Sequence, residues 1–90
     1  MNEYIKRPFD HYEYKEELGL AQEHIDTYNW IANYIAAFRQ APTVREIAKG
    51  RLYSSHFPVQ LHLDKLEETG YITRTDRKWR NIRLTNKRLE

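Results

Sequence analysis

The segment that most constrains the fold reads PTVREIA and covers residues 42–48. Proline cannot continue a preceding helix, and Thr43 followed three residues later by Glu46 is a capping box, which satisfies two amides at the start of a helix. The apolar residues of the segment fall on one helical face: Val44, Ile47 and Ala48. We therefore predict a short second helix that ends near Lys49–Gly50, where the glycine provides the turn.

Another helical pattern follows closely, in the segment LHLDKLEETGYITR at residues 61–74. Leu63 and Leu66 form its inner stripe, and Gly70 is its predicted C-cap. The start is ambiguous because Pro58 has no amide proton and disfavours helical angles in the residue before it. We predict that Ser55 is the N-cap of a third helix covering roughly residues 55–69. The alternative is a start at Pro58 itself.

The first helix is predicted from residue 22 or 26 to residue 39. Four of its residues recur at i, i+3, i+4 and i+7, the spacing of a helix with one buried face: Ile31, Tyr34, Ile35 and Phe38. Asp26 and Thr27 are its candidate N-caps. Trp30 lies off that stripe, and we expect it beneath the N-terminal segment.

Two alternating segments after Gly70 predict strands at residues 71–75 and 81–85, with a turn at 76–79 and inward-facing Ile72, Ile82 and Leu84. Two short helices joined by a tight turn and followed by a hairpin are the outline of a winged helix-turn-helix. The predicted fold class is α+β: three helices followed by a two-stranded β-hairpin wing. We divide the chain into an aromatic and acidic arm (1–21), a winged-helix domain (22–85) and a frayed tail (86–90).

The arm is too aromatic for an ordinary disordered tail, with Tyr4, Phe9, Tyr12 and Tyr14. Its segment KEEL, at residues 15–18, is compatible with a helical turn. We expect at least part of residues 1–20 to dock on the first helix of the same chain or on that of a second copy, which would make a homodimer.

The formal net charge of +2 conceals a gradient along the chain. Residues 1–25 carry three basic and six acidic groups, and residues 26–70 carry five of each. Residues 71–90 carry seven basic groups against two acidic ones. A concentrated basic end on a near-neutral body favours a polyanionic partner, with a merely solubilising tail as the alternative.

Four short marks resemble the DNA-binding domain of LexA-type repressors: proline-threonine at 42–43, glutamate-isoleucine-alanine at 46–48, leucine-x-x-leucine-glutamate at 63–67 and glycine-tyrosine-isoleucine at 70–72. The resemblance covers roughly residues 25–85. It implies a sequence-specific regulator of transcription, of prokaryotic or phage type, that binds double-stranded DNA in the cytoplasm, at the nucleoid. LexA-type repressors also carry a self-cleaving, dimerising domain with a serine-lysine pair. A chain of 90 residues has no room for it, so we do not expect self-cleavage.

A gap-free carry-over from that family places the base-reading positions on the third helix, at Ser55, His56, Phe57, Gln60 and Leu61. Gln60 is the best candidate for direct readout, because its amide can bond an adenine edge bidentately. Phe57 and Leu61 stand where the family pattern has polar readers. Three interpretations stay open for them: contact with thymine methyl groups, packing in the core, or an apolar patch for a protein partner.

The residues predicted to contact the DNA backbone lie on two elements. The wing supplies Arg74, Arg77, Lys78, Arg80 and Arg83, and the second helix and its flanks supply Thr43, Arg45, Lys49 and Arg51. Trp79, at the turn of the wing, either stacks on a sugar or a base step or folds back over its own hairpin.

The alternative function is a protein-binding winged-helix adaptor that uses the aromatic arm and the Phe57/Leu61 face. The sequence does not favour an enzyme, because it has no glycine-rich phosphate loop and no serine elbow. The four histidines lack metal-ligand spacing, and His62 is expected to be a packing histidine, partly buried between helices. We accordingly expect no catalytic residue, metal, cofactor or small-molecule substrate. With no cysteine and no apolar run of membrane-spanning length, we also expect neither a disulfide nor a membrane partner.

Overall fold

A computed structural model describes residues 14–15 and 19–88 of the chain. The elements in order are β1 (Tyr14–Lys15), β2 (Leu20–Ala21), α1 (Gln22–Phe38), α2 (Val44–Gly50), α3 (Phe57–Glu68), β3 (Ile72–Arg74) and β4 (Ile82–Leu84). Strands β3 and β4 pair in antiparallel register, with Ile72 opposite Leu84 and Arg74 opposite Ile82. The predicted α+β winged helix-turn-helix is thus confirmed, and the loop of the wing spans residues 75–81.

The core lies where α1, α2, α3 and the inner face of the wing meet. Its buried residues are Leu20, Tyr28, Ile31, Ile47, Ala48, Val59, Leu63, Leu66, Tyr71, Ile72 and Ile82. Leu84 packs against this cluster from the second strand of the wing. The inward positions predicted for the strands are therefore correct, and the wing is anchored by apolar contacts on its inner side.

Helix α1 begins at Gln22, the earlier of its two predicted starts, so neither of the predicted cap residues is its N-cap. Its N-cap is Ala21, whose amide donates to Nδ1 of His24 at 3.0 Å, so a histidine takes the place of the usual capping glutamate. Asp26 and Thr27 lie within the helix instead, and Thr27 is fully buried. The buried face predicted for α1 is confirmed at Ile31 but not at Phe38, which is 61% exposed. The Phe38 ring lies against the Tyr34 ring instead, with 4.6 Å between centroids.

Helix α2 has the predicted capping box. Thr43 Oγ1 accepts from the Glu46 amide at 3.1 Å, and Glu46 Oε1 accepts from the Thr43 amide at 2.9 Å. The predicted role of Gly50 as the turn is wrong, because Gly50 is the last helical residue and Leu52, with φ of 64°, takes the left-handed position. Gly50 is needed for packing: the indole of Trp30 lies directly on its Cα. Trp30, expected beneath the N-terminal segment, thus packs against α2.

Helix α3 starts between the two predicted positions. His56 is the N-cap, and Pro58 is the second helical residue, where a missing amide costs no helical hydrogen bond. Ser55 is therefore not the cap. At the other end Thr69 is the C-cap and Gly70, with φ of 89°, is the residue after it. The amides of Gly70 and Tyr71 donate back to the carbonyls of Glu67 and Leu66, a Schellman motif that turns the chain into β3.

Part of the arm forms a short hairpin whose Leu20 is buried in the core of the domain. Tyr14 pairs with Ala21 and Lys15 with Leu20, so β1 runs antiparallel to the strand that leads into α1. Lys15 is thus in a strand rather than a helical turn. Tyr4, Phe9 and Tyr12 lie outside the described residues, and so do residues 16–18 of the predicted turn. At the C-terminal end Lys87 Nζ donates to the Thr69 carbonyl at 2.8 Å, which ties the start of the predicted tail to α3.

Candidate nucleic-acid interface

A cleft separates α3 from the wing, and we call it the α3–wing cleft. Its lining comes from three elements: Thr43, Val44 and Arg45 of α2 and its cap, His56, Gln60 and Leu63 of α3, and Arg74, Lys78, Trp79, Arg80, Asn81 and Ile82 of the wing. His56 and Gln60 are four residues apart and therefore share one side of α3. Two of the five predicted base-reading residues thus face the cations of α2 and the wing.

Phe57 and Leu61 form a separate ridge on α3, which we call the apolar ridge. They are 67% and 49% exposed, so the interpretation that they pack in the core is wrong. The buried residues of α3 are Val59, His62, Leu63 and Leu66, and at 100° per residue the ridge lies opposite them. Ser55, in the loop before the helix, is also exposed.

Arg80 holds the wing against the start of α2. Its guanidinium donates to both carboxylate oxygens of Glu46, at 3.1 and 3.0 Å, and to the carbonyl of Ala41 at 2.9 Å. The Thr43 amide and this guanidinium together lower the pKa of Glu46 to about 2, so the carboxylate stays ionised at neutral pH. The sequence predicts a phosphate contact for Arg80, but the hydrogen bonds of its guanidinium are those of a structural anchor.

Arg74 is likewise engaged within the protein. Its Nη2 lies 2.7 Å from Asp64 Oδ1 and 2.6 Å from Glu67 Oε1, and its Nε donates to Glu67 at 3.0 Å. Asp64 and Glu67 are on the exposed side of α3, about one and two turns beyond Gln60. Arg74 therefore ties β3 to α3 and offsets one of the two negative charges that would otherwise repel a polyanion approaching that helix.

Five of the predicted backbone-contact cations have exposed side chains: Arg45, Lys49, Arg77, Lys78 and Arg83. Arg45 and Lys78 line the α3–wing cleft, whereas Arg77 and Arg83 line a second pocket between the wing and the C-terminal end of α1. Trp79 is 69% exposed, with Lys78 Nζ 5.6 Å from its ring centroid. The interpretation that Trp79 folds back over the hairpin is therefore wrong, and its indole is available at the wing tip.

Arg51 points away from the cleft into a network between α1 and α3. Its Nε donates to Thr27 Oγ1 at 3.1 Å, and that oxygen lies 2.9 Å from His62 Nδ1. His62 is 3% exposed, which bears out the packing role expected for it. Burial lowers the pKa of His62, and the nearby His24 lowers it further, which favours the neutral ring. Arg51 thus has an internal partner, and its predicted phosphate contact is left without support.

The fold brings together three possible metal ligands that are distant in sequence. Ligand atoms of Glu23, His24 and His62 lie within 4.8 Å of one another. However, His24 Nδ1 accepts the Ala21 amide, so the proton of the neutral ring sits on Nε2 and leaves no lone pair there for a cation. The guanidinium of Arg51 also disfavours a second positive charge nearby. The cluster is better explained as interhelical packing, and no local spacing in the sequence could have shown it.

A helix-turn-helix with an exposed, uncharged N-terminal half of α3, bordered by a cationic wing, defines the class of winged-helix nucleic-acid-binding domains. Comparison with known proteins gives the family. Residues 15–81 match the model of the LexA DNA binding domain, and the chain belongs to that family. The chain is also 30% identical, over 73 residues, to "Transcription regulator LexA" of Synechocystis sp.. The match covers 81% of this chain and 35% of that relative, so the chain spans about a third of the relative's length.

The described helices include none with both the length and the apolar character needed to cross a membrane. The longest, α1, has 17 residues and contains polar residues along its length.

Proposed function

We propose that this chain binds double-stranded DNA sequence-specifically and regulates transcription, as a protein of prokaryotic or phage type. The observation that carries the proposal is the convergence of Gln60 and His56 with Arg45, Lys78 and Trp79 around one cleft. A recognition helix enters the major groove with its N-terminal half. That half of α3 carries no acidic residue in its first turn, whereas Asp64, Glu67 and Glu68 lie toward its end.

The proposed roles divide into reading, phosphate contact and support. Gln60 reads a base edge, with His56 as a second donor from the same side of α3 and Ser55 at the adjoining phosphate. Arg45, Lys49, Arg77, Lys78 and Arg83 neutralise phosphates, the Thr43 cap approaches the backbone, and Trp79 stacks at the wing tip. Arg51, Arg74 and Arg80 hold the elements in place through the internal hydrogen bonds described above.

Tight operator binding favours two copies on paired half-sites, because a single module of this size buries little DNA surface. We propose that the arm at residues 1–21 or helix α1 supplies the contact between copies. The pairing of β1 with β2 brings the described part of the arm to the start of α1, which supports that location. A regulator of this kind acts where the nucleoid is, in the cytoplasm.

The exposure of the apolar ridge favours a second candidate, a protein-binding adaptor. A salt titration separates the two functions, since neutralising phosphates releases counterions and apolar docking does not. We expect affinity for a random-sequence duplex to fall with a log–log slope of about −4 to −5, corresponding to about four to six phosphate contacts. That is a loss on the order of several hundredfold between about 50 and 200 mM salt. Affinity that does not change over this range, or no binding at low salt, would contradict DNA binding.

A further inference from the structure

The apolar ridge occupies the part of α3 that projects farthest from the core. Phe57 and Leu61 are four residues apart, on the side of the helix opposite Val59, His62 and Leu66. Their large apolar side chains face solvent, with Phe57 67% and Leu61 49% exposed. If α3 enters a major groove as proposed above, the side chains of Phe57 and Leu61 are the first to reach the floor of the groove. His56 and Gln60, on the cleft side of α3, then approach the base edges obliquely.

The surroundings of the ridge indicate which partner covers it. His56 and Gln60 adjoin the ridge along α3 and line a cleft whose opposite wall carries Arg45 and Lys78. Asp64, on the turn of α3 after Leu61, lies 2.7 Å from Arg74, which also holds Glu67 at 2.6 Å, and Glu68 pairs with Lys65 at 3.4 Å. An apolar ridge beside cationic side chains, with most of the nearby negative charge offset by ion pairs, is complementary to a polyanion that exposes small apolar groups.

Duplex DNA has one such group on a base edge in its major groove, the 5-methyl group of thymine. We propose that Phe57 and Leu61 are specificity-determining residues that select thymine by burying its methyl group. The inference rests on the proposed DNA-binding function and specifies its target. One helical turn separates the two side chains by about 6 Å along the axis of α3. Base pairs are about 3.4 Å apart, so we expect two selected thymines roughly two steps apart in each bound site.

Removing single methyl groups from DNA tests this directly. The probe is the duplex that wild-type protein enriches from a randomised library, synthesised with one thymine at a time replaced by uracil. Uracil keeps every hydrogen-bonding group of thymine and lacks only the methyl group. We expect the replacement of thymine by uracil to weaken binding about fourfold at each of two positions, because the apolar surface of one buried methyl group is lost. Replacement of the other thymines should not change the affinity. Phe57→Ala should abolish the effect at one position and Leu61→Ala at the other.

Both variants remove exposed side chains, so they should fold like wild type, which thermal unfolding checks. Equal affinity for every uracil duplex would overturn thymine selection while leaving sequence-specific DNA binding intact. Enrichment of no duplex at all would overturn the DNA-binding function, and thymine selection with it. If the Phe57→Ala/Leu61→Ala double variant kept full affinity for the enriched duplex but did not form a dimer seen for wild type by solution mass, the ridge would be a contact between copies, and thymine selection would again be overturned.

Discussion

Replacing Arg45, Arg77 and Lys78 together with alanine is expected to weaken binding to duplex DNA on the order of a hundredfold at about 0.1 M salt. All three side chains are exposed, and Arg45 and Lys78 line the α3–wing cleft. Removing one cation that neutralises a phosphate should reduce the log–log salt slope by about one, so the slope of the variant should be shallower by about three. The weakening should be the same for every DNA sequence, because phosphates carry no base identity.

A charge-matched control separates local contacts from net charge. Lys65→Ala, Lys87→Ala and Arg88→Ala together remove the same three positive charges from the region around the C-terminal end of α3, where Lys65 lies 3.4 Å from Glu68 and Lys87 bonds the Thr69 carbonyl. We expect this control to bind within a fewfold of wild type. If both triple variants weakened binding equally, net charge rather than the cleft and the wing tip would explain the affinity.

Gly50→Ala is expected to lower the free energy of unfolding by about 1–3 kcal/mol, the usual cost of overpacking. A Cβ at this position would lie 2.6 Å from Trp30 Nε1 and closer still to Cε2 and Cζ2. The indole cannot turn aside cheaply, because it stacks on Tyr34 with 5.4 Å between centroids. Without the clash, alanine would stabilise the helix by up to about 1 kcal/mol relative to glycine. A decrease in the free energy of unfolding would therefore indicate the clash. Thermal and urea unfolding would measure it.

A double-mutant cycle identifies the cause of that destabilisation. In a Trp30→Ala background the clash is gone, so Gly50→Ala should become neutral or slightly stabilising. Lys49→Ala, on the adjacent exposed residue, serves as a control and should change the free energy of unfolding by less than about 0.5 kcal/mol. A Gly50→Ala protein more stable than wild type would show that the indole does not pack on Gly50 closely enough to exclude a Cβ.

The predictions made from sequence are correct where the determinant is local. The capping box of Thr43 and Glu46 and the alternation that buries Ile72 and Ile82 each involve residues within a few positions of one another. Such short patterns specify which elements form, and the order of the elements then specifies the winged helix. The start of α3 fell between its two predicted positions because proline is tolerated at any of the first helical residues.

The interactions that set the site are long-range, and no short pattern encodes them. The sequence pattern assigns Glu46 to the cap of α2, yet its carboxylate also anchors Arg80 of the wing. A glycine at the end of a helix predicts a turn, but Gly50 is required because the indole of a residue on another helix packs on it. Counting cations at residues 71–90 likewise could not separate Arg74 and Arg80, which have internal partners, from the exposed Arg77 and Lys78.

The two tryptophans provide the most direct test that DNA is bound by α3 and the wing. Trp79 is exposed at the wing tip, whereas Trp30 of α1 packs on Gly50 of α2. Their indole N–H resonances therefore report on different surfaces. We would titrate ¹⁵N-labelled protein with a random-sequence duplex at low salt, assigning the signals with a Trp79→Phe variant. The Trp79 resonance should shift progressively and return when salt is added, while the Trp30 resonance stays in place. A Trp79 signal unmoved by excess duplex, or a larger shift at Trp30, would contradict the proposed interface.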